Sequence, residues 1–447
     1  MQTNLLTRAA ACMIGLAFSC GVWSQPAPAL PEAAKHVEPP ERLAWHERML
    51  THKMPHAGCF VAGFPNEEWK EVPCAHSIVH DPKLKKFDRK LVPPHGLAQV
   101  GDGVDYSGEA VGGTIASGEG SFDQVTDVTT VQSIPPGSST GAPGAFSLQL
   151  NSSWAASTAC ANADNAANSG CSALVQFLMM TSNVHAYVFM EYWLSNFSTN
   201  CPGSGGKPQL PDFPSGSVWW HPTGEPTVCV FDGPTVQLDP QLVTNLGKLK
   251  LLGTAETGGM DSIMFTAQNG QIYGEASPDD IFALAANWQV AEFNVFGRDN
   301  SQQAVFNNNA AVVVHLKLNN GTSNAPTLIN GGVTAETNNL TLATLACPTS
   351  GSLPELSFLE AYAASELSKT CPPAPIVPKV PPTLKPNCKG LMEAVTVAEE
   401  ELAKAQQHSE SAICKGSASV DCLMAVKRAQ ENLVGAEAAY KKACPPK

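Results

Sequence analysis

Between residues 101 and 371 the apolar positions come in short runs, cut by clusters of Gly, Ser, Asn and Pro. That is the punctuation of an all-β region. The runs Phe146–Leu150, Ala173–Met180, His185–Leu194, Ser262–Phe265, Trp288–Phe296 and Ala311–Leu318 read as strands. Several are apolar at successive positions, as expected where a strand is covered on both faces. Two packed antiparallel sheets account for such strands. The pattern therefore predicts a mainly β chain, an antiparallel β-sandwich of jelly-roll or concanavalin-like type, and it shows no internal repeat.

The pattern changes on either side. Residues 25–100 are irregular and rich in Pro and His, with a short helix expected over Glu41–Lys53. This stretch reads as a propeptide or an N-terminal extension of the main domain. Residues 372–387 are proline-rich, a composition that favours polyproline II and would extend roughly 50 Å at about 3.1 Å per residue. In 388–447 the period switches to three and four. Cys388, Leu391, Val395, Ala398, Leu402 and Ala405 form one stripe; Cys422, Val426, Ala429, Leu433, Ala436 and Tyr440 form another. Two amphipathic helices are expected. In an antiparallel pair Cys388 meets Cys444 and Cys414 meets Cys422, giving a C-terminal disulfide-stapled α-helical hairpin. Small units need such staples.

Composition adds the compartment. Residues 1–24 read as a signal peptide: Arg8, an apolar Ala9–Ser19 stretch, and small residues at Val22-Trp23-Ser24. A lipoprotein anchored through Cys20 fits less well, because Phe18 is large for the preceding motif. No later segment has 18 uninterrupted apolar residues, so no transmembrane segment is expected. Removing Cys12 and Cys20 from fourteen cysteines leaves an even twelve, which an oxidising compartment pairs as disulfides. Sequential pairing is expected for Cys59/Cys74, Cys160/Cys171, Cys201/Cys229 and Cys347/Cys371. Charged residues are 15% and the net charge is -13, against about 25% charged in typical domains. Acidic balance argues against nucleic acid and anionic membrane as partners.

Candidate chemistry is sparse. Gln176 is a lone amide in an apolar strand. Glu191, Tyr192 and Trp193 put a carboxylate among aromatics, and Glu292 lies between Val290 and Asn294 on one strand face. Buried polar groups of this kind are costly unless paired or set in a groove. The order of these strands resembles the glutamic peptidases (eqolisins), secreted β-sandwiches active in acid. That resemblance implies a catalytic pair, Glu292 as base and Gln176 as oxyanion donor, with Glu191, Tyr192 and Trp193 lining the cleft and a polypeptide as substrate. Phe293 stands where that family usually has Trp. A second resemblance, through Gly58-Cys59-Phe60, Trp69 and Cys74, is to secreted proteins of unassigned function. The alternative is a non-catalytic extracellular protein binding glycan or another surface ligand, with Gln176 and Glu292 serving only the fold. Adjacent Trp219 and Trp220 would then stack on sugar or peptide.

The remaining groups point nowhere specific. His52/His56 and His76/His80 are four apart, but prolines interrupt and no HExxH occurs, so no metal site is expected. Asp102, Asp105 and Glu109 miss the calcium-loop spacing and read as turn residues. No cofactor motif is present. Asn151, Asn196, Asn320 and Asn339 sit in N-x-S/T sequons.

Overall fold

In a computed structural model of the chain, the structure describes residues 39–75, 99–101 and most of 104–362, together with Cys371 and scattered positions between 392 and 434. Within 104–362 it omits 165–169, 209, 211–218, 223–225, 279–281, 300–301 and 335. Residues 1–24, read above as a signal peptide, the proline-rich residues 372–387, and His76 and His80 lie outside the described residues.

Two sheets build the body. The smaller runs, neighbour to neighbour, through Cys229–Asp232, Ala186–Ser195, Ser172–Thr181, Phe146–Ser152, Val290–Phe296, Tyr106–Glu109 and Thr327–Asn330. Val236–Leu238 also pairs with Ala186–Ser195. The larger has Ile272–Pro278, Met260–Thr266, Lys250–Thr254, Ser117–Thr126, Ala311–Asn319, Glu355–Ala361 and Thr337–Thr349 at its centre. Pairing is antiparallel except between Gln303–Phe306 and Thr337–Thr349. The long strands match the apolar runs of the sequence to within two residues at most ends. The expected first helix is Pro40–Met49, with Pro40 opening its first turn, where a missing N–H costs nothing.

Strand alternation decides which side chains meet the core. Phe177, Phe293 and Leu150 turn toward the larger sheet. There, glycines let the rings in: the space a Cβ would take at Gly120 is filled by the Phe293 ring, and at Gly253 by the Phe177 ring. Phe293 then packs on Phe122, and Phe177 stacks on Trp288 at 5.3 Å. Gly120→Ala is expected to cost about 3 kcal/mol or more, since neither a rigid ring nor a central strand gives way easily; a thermal melt checks it, and an unchanged midpoint would refute this packing.

Four disulfides join Cys59–Cys74, Cys160–Cys171, Cys201–Cys229 and Cys347–Cys371, the sequential pairing expected. They fit an oxidising compartment. No helix among the described residues is long and apolar enough to cross a membrane.

The C-terminal helical hairpin needs correction. The described helices are short: Pro40–Met49, Leu284–Asn287 and two 3-10 turns. The scattered described residues between Met392 and Val434 are individually helical but define no bounded helix, and no hairpin of two paired helices is shown among them. Cys388, Cys414, Cys422 and Cys444 lie outside the described residues. A helical period supplies a stripe, but pairing two helices requires a buried seam, and of the described stripe residues Val395, Leu402, Val426 and Leu433 only Val395 is buried.

Candidate active site

The face of the smaller sheet turned away from the core carries a polar row. Ladder pairing sets Glu292 opposite Asn151, Asn151 opposite Gln176, Gln176 opposite Glu191, and Glu191 opposite Asp232. Ser107 flanks Glu292 on its other side. Directly paired residues project to the same face. The register therefore places Glu292 and Gln176 on one side of one sheet, with the Asn151 strand between them. They are not on neighbouring strands; at about 4.8 Å per strand their backbones stand roughly 10 Å apart.

Asn151 spans that gap. Its Nδ2 donates to Glu292 Oε2 at 2.9 Å, and its Oδ1 accepts from Gln176 Nε2 at 3.0 Å. Gln176 Nε2 also donates to Gln149 Oε1 at 3.1 Å, and Gln149 Nε2 donates to Ser147 Oγ at 3.0 Å. The result is a line of amides ending on a carboxylate. Every member is buried, with Glu292 at 0% and Gln176 at 2% exposure.

Glu292 receives further donors from the segment after the Thr327–Asn330 strand. Thr334 Oγ1 donates to Oε2 at 3.3 Å, and the Val333 backbone N–H also acts on the carboxylate. Oε1 has no hydrogen-bond partner of normal geometry among the described residues, and Gly332 lies directly against it. Burial raises the Glu292 pKa to about 7; Glu336 adds to this, while the bonds from Asn151, Val333 and Thr334 offset only part. The carboxyl is thus poised between its two protonation states near neutrality.

A second buried group adjoins it. Asn294, two residues along the same strand, donates from Nδ2 to Asp105 Oδ2 at 2.9 Å and to Glu360 Oε1 at 2.6 Å. Asn338 Nδ2 reaches Glu360 Oε2 at 3.3 Å. Burial, then the charges of Glu292 and Glu360, push the Asp105 carboxyl well above its ordinary range. Burial likewise raises Glu360 to about 7. Asp105 reads from sequence as a turn residue and Asn151 as a glycosylation site. Both are buried. The available signal is the alternation Gln149, Asn151 in Phe146–Ser152, which repeats a polar residue on one face of a strand otherwise apolar.

The other expected residues divide by face. Glu191 and Trp193 stay on the Gln176 side, joined by Trp193 Nε1 donating to Glu191 Oε2 at 2.5 Å. Tyr192 points into the sandwich, edge-on to Phe282 at 5.5 Å, because three consecutive strand residues cannot share a face. Trp219 packs against Phe231 at 5.6 Å. Trp220 forms an isolated bridge with Val230 and lies edge-on to Trp193 at 6.3 Å. Both indoles are half-buried, so neither offers an open stacking platform.

Cys201, His221 and Cys229 approach closely enough to hold a metal. The two sulfurs are bonded to each other, which removes the thiolates a metal needs. His56 hydrogen-bonds Ala57 and faces Glu71 at 3.6 Å.

No family model matches the chain, and no curated protein matches it. Two solved structures are similar at a weak, fold-level degree. One is a crystal structure of scytalido-glutamic peptidase with a peptide-based transition state analog: TM-score 0.26, 10% identity, 57% of this chain and 98% of that chain covered. The other is the same enzyme with a transition state analog inhibitor: TM-score 0.22, 11% identity, and the same coverage.

Proposed function

We propose that this chain is a polypeptide hydrolase of glutamic-peptidase type, with Glu292 as general base and acid and Gln176 as amide donor to the oxyanion. The single observation that supports this most is the hydrogen-bonded line from Gln176 through Asn151 to a buried Glu292 with a raised pKa. Catalytic bases work best with a pKa near the working pH.

The chemistry follows from the donors. Ionised Glu292 takes a proton from water as the oxygen attacks the peptide carbonyl. Protonated, it returns that proton to the leaving amine as the C–N bond breaks. The carbonyl oxygen gains charge, and an amide N–H of Gln176, released from Gln149 or Asn151, would bind it. A donor that meets charge only in the transition state contributes about 3 kcal/mol.

The test is incubation with a denatured protein from pH 2 to 8, beside Glu292→Gln. Cleavage by the native chain, rising as pH approaches 7 because the base must ionise, is expected; equal cleavage by both proteins, or none by either, rejects the assignment. The sealed position of Glu292 and Gln176 favours a second reading, a non-catalytic extracellular binding protein in which this row holds the fold together. Glu292→Gln would then change stability and leave no activity to lose.

A further inference from the structure

The polar row is buried although it lies on the face away from the core, and the segment Gly331–Thr334 covers its Glu292 end. It is tied at both flanks of that carboxylate. Gly331 N donates to Asp105 O at 2.9 Å, Ser107 Oγ donates to Gly331 O at 2.8 Å, and Thr334 Oγ1 donates to Glu292 Oε2. Gly332 sits so close that a Cβ there would collide with Glu292 Oε1 and touch Asp105 Cβ at 3.4 Å. Val333 then packs against an apolar patch of Leu174, Trp193 and Val230, rimmed by Trp220 and Val228. Leu174, Trp193 and Val230 are paired residues, two positions along their strands from Gln176, Glu191 and Asp232. The patch therefore borders the polar row on the same face.

We propose that Gly331–Thr334 is an internal strap lying over the Glu292 end of the row in the manner of a substrate, so that only the minor population with the strap lifted is active, and that the patch under Val333 is the subsite for an aliphatic side chain of the polypeptide. This rests on the hydrolase reading for its substrate. A main chain crosses Glu292 at a residue too crowded for any side chain, and the next side chain, branched and aliphatic, packs on a cluster that includes Trp193 and Trp220. The segment is four residues long, two of them glycine, and the three hydrogen bonds above and one apolar side chain tie it down, so lifting it disturbs less than opening a strand.

Two variants test this in the full chain. Gly332→Ala drives a Cβ against Glu292, and Val333→Ser removes the aliphatic contact with that cluster; melting curves establish that each folds, and either suffices if the other does not. Acrylamide quenching of tryptophan is expected to rise as Trp193 and Trp220 lose their cover. A synthetic peptide Asn-Gly-Gly-Val-Thr is expected to bind the variants about tenfold more tightly than the native chain, the factor recovered if the open state is roughly a tenth of the native population. Cleavage of denatured protein should rise by a similar factor. Unchanged quenching and unchanged peptide affinity in a folded variant would overturn the strap even if native cleavage is robust. Raised quenching and affinity with no cleavage by any form would uphold the strap and reject the hydrolase.

Discussion

The chain is expected to melt roughly 5–10 °C higher at pH 5 than at pH 8.5, a loss on the order of 5 kcal/mol. Burial raises Glu275 to about 8, with only Ser277 and Met190 opposing it, and raises Glu292 and Glu360 to about 7. A carboxyl whose folded pKa lies above its unfolded value binds a proton more tightly when folded. Its stabilisation is complete below about 4.5 and lost as pH climbs through 7 and 8. His315 acts in the same direction. Burial alone would lower it, but Asp123 at 3.0 Å and Glu355 at 2.8 Å hold its charge and bring it to about 9. Its contribution is full below about 6.5 and falls as pH passes 9. Opposing these, burial would raise Glu119, but Lys317, Lys250 and His315 together hold it low, and His315 holds Glu355 low; that support is present above about 4.5 and fails as pH falls further. Asp105, Glu292 and Glu360 share one field, so their contributions do not simply add. Calorimetric melts at constant ionic strength check the profile, and a midpoint flat or rising toward pH 8.5 contradicts it. Glu275→Gln should flatten the alkaline slope, because the amide has no proton to lose.

Much of this architecture is legible in the chain itself, for a physical reason. Runs such as Ala173–Met180 are apolar at every position but Gln176 because both faces of the strand are buried, and that demand is written locally. The eight paired cysteines follow nearest-neighbour order because each pair closes a short loop, the longest with a separation of 28 residues. The Glu292 and Gln176 pair is legible as two polar residues where burial is expected. What joins them is not. Asn151 belongs to a third strand, and only the register, Glu292 to Asn151 to Gln176, makes it the bridge. Glu360 meets Asn294 across 66 residues. Nothing local announces that Gly332 lies against a carboxylate. Trp219 and Trp220 mislead in the other direction, since adjacent aromatics in a loop look like a platform until their packing partners are known.

Asn151→Ala is expected to lower turnover on a denatured protein substrate by about 10²-fold, and Gln176→Ala by about 10² to 10³-fold. The two losses have different signatures. Asn151 Nδ2 donates to Glu292 and favours its ionised form. Removing that donor should move the limb of the pH profile set by Glu292 upward, above about 7. Gln176 reaches Glu292 only through Asn151, so Gln176→Ala should leave that limb nearly in place and depress kcat along the whole profile. An oxyanion donor is engaged only as charge develops, which places its effect on kcat more than on KM. Because one hydrogen-bonded line contains both side chains, the double variant should lose less than the product of the single losses. Melting curves separate these effects from unfolding: each truncation leaves a buried amide or carboxylate short of a partner, at about 1–3 kcal/mol. The pH-dependent kcat of the three variants checks the series. If Asn151→Ala leaves the limb unmoved and the losses multiply, the row carries no linked chemistry and the three residues act independently.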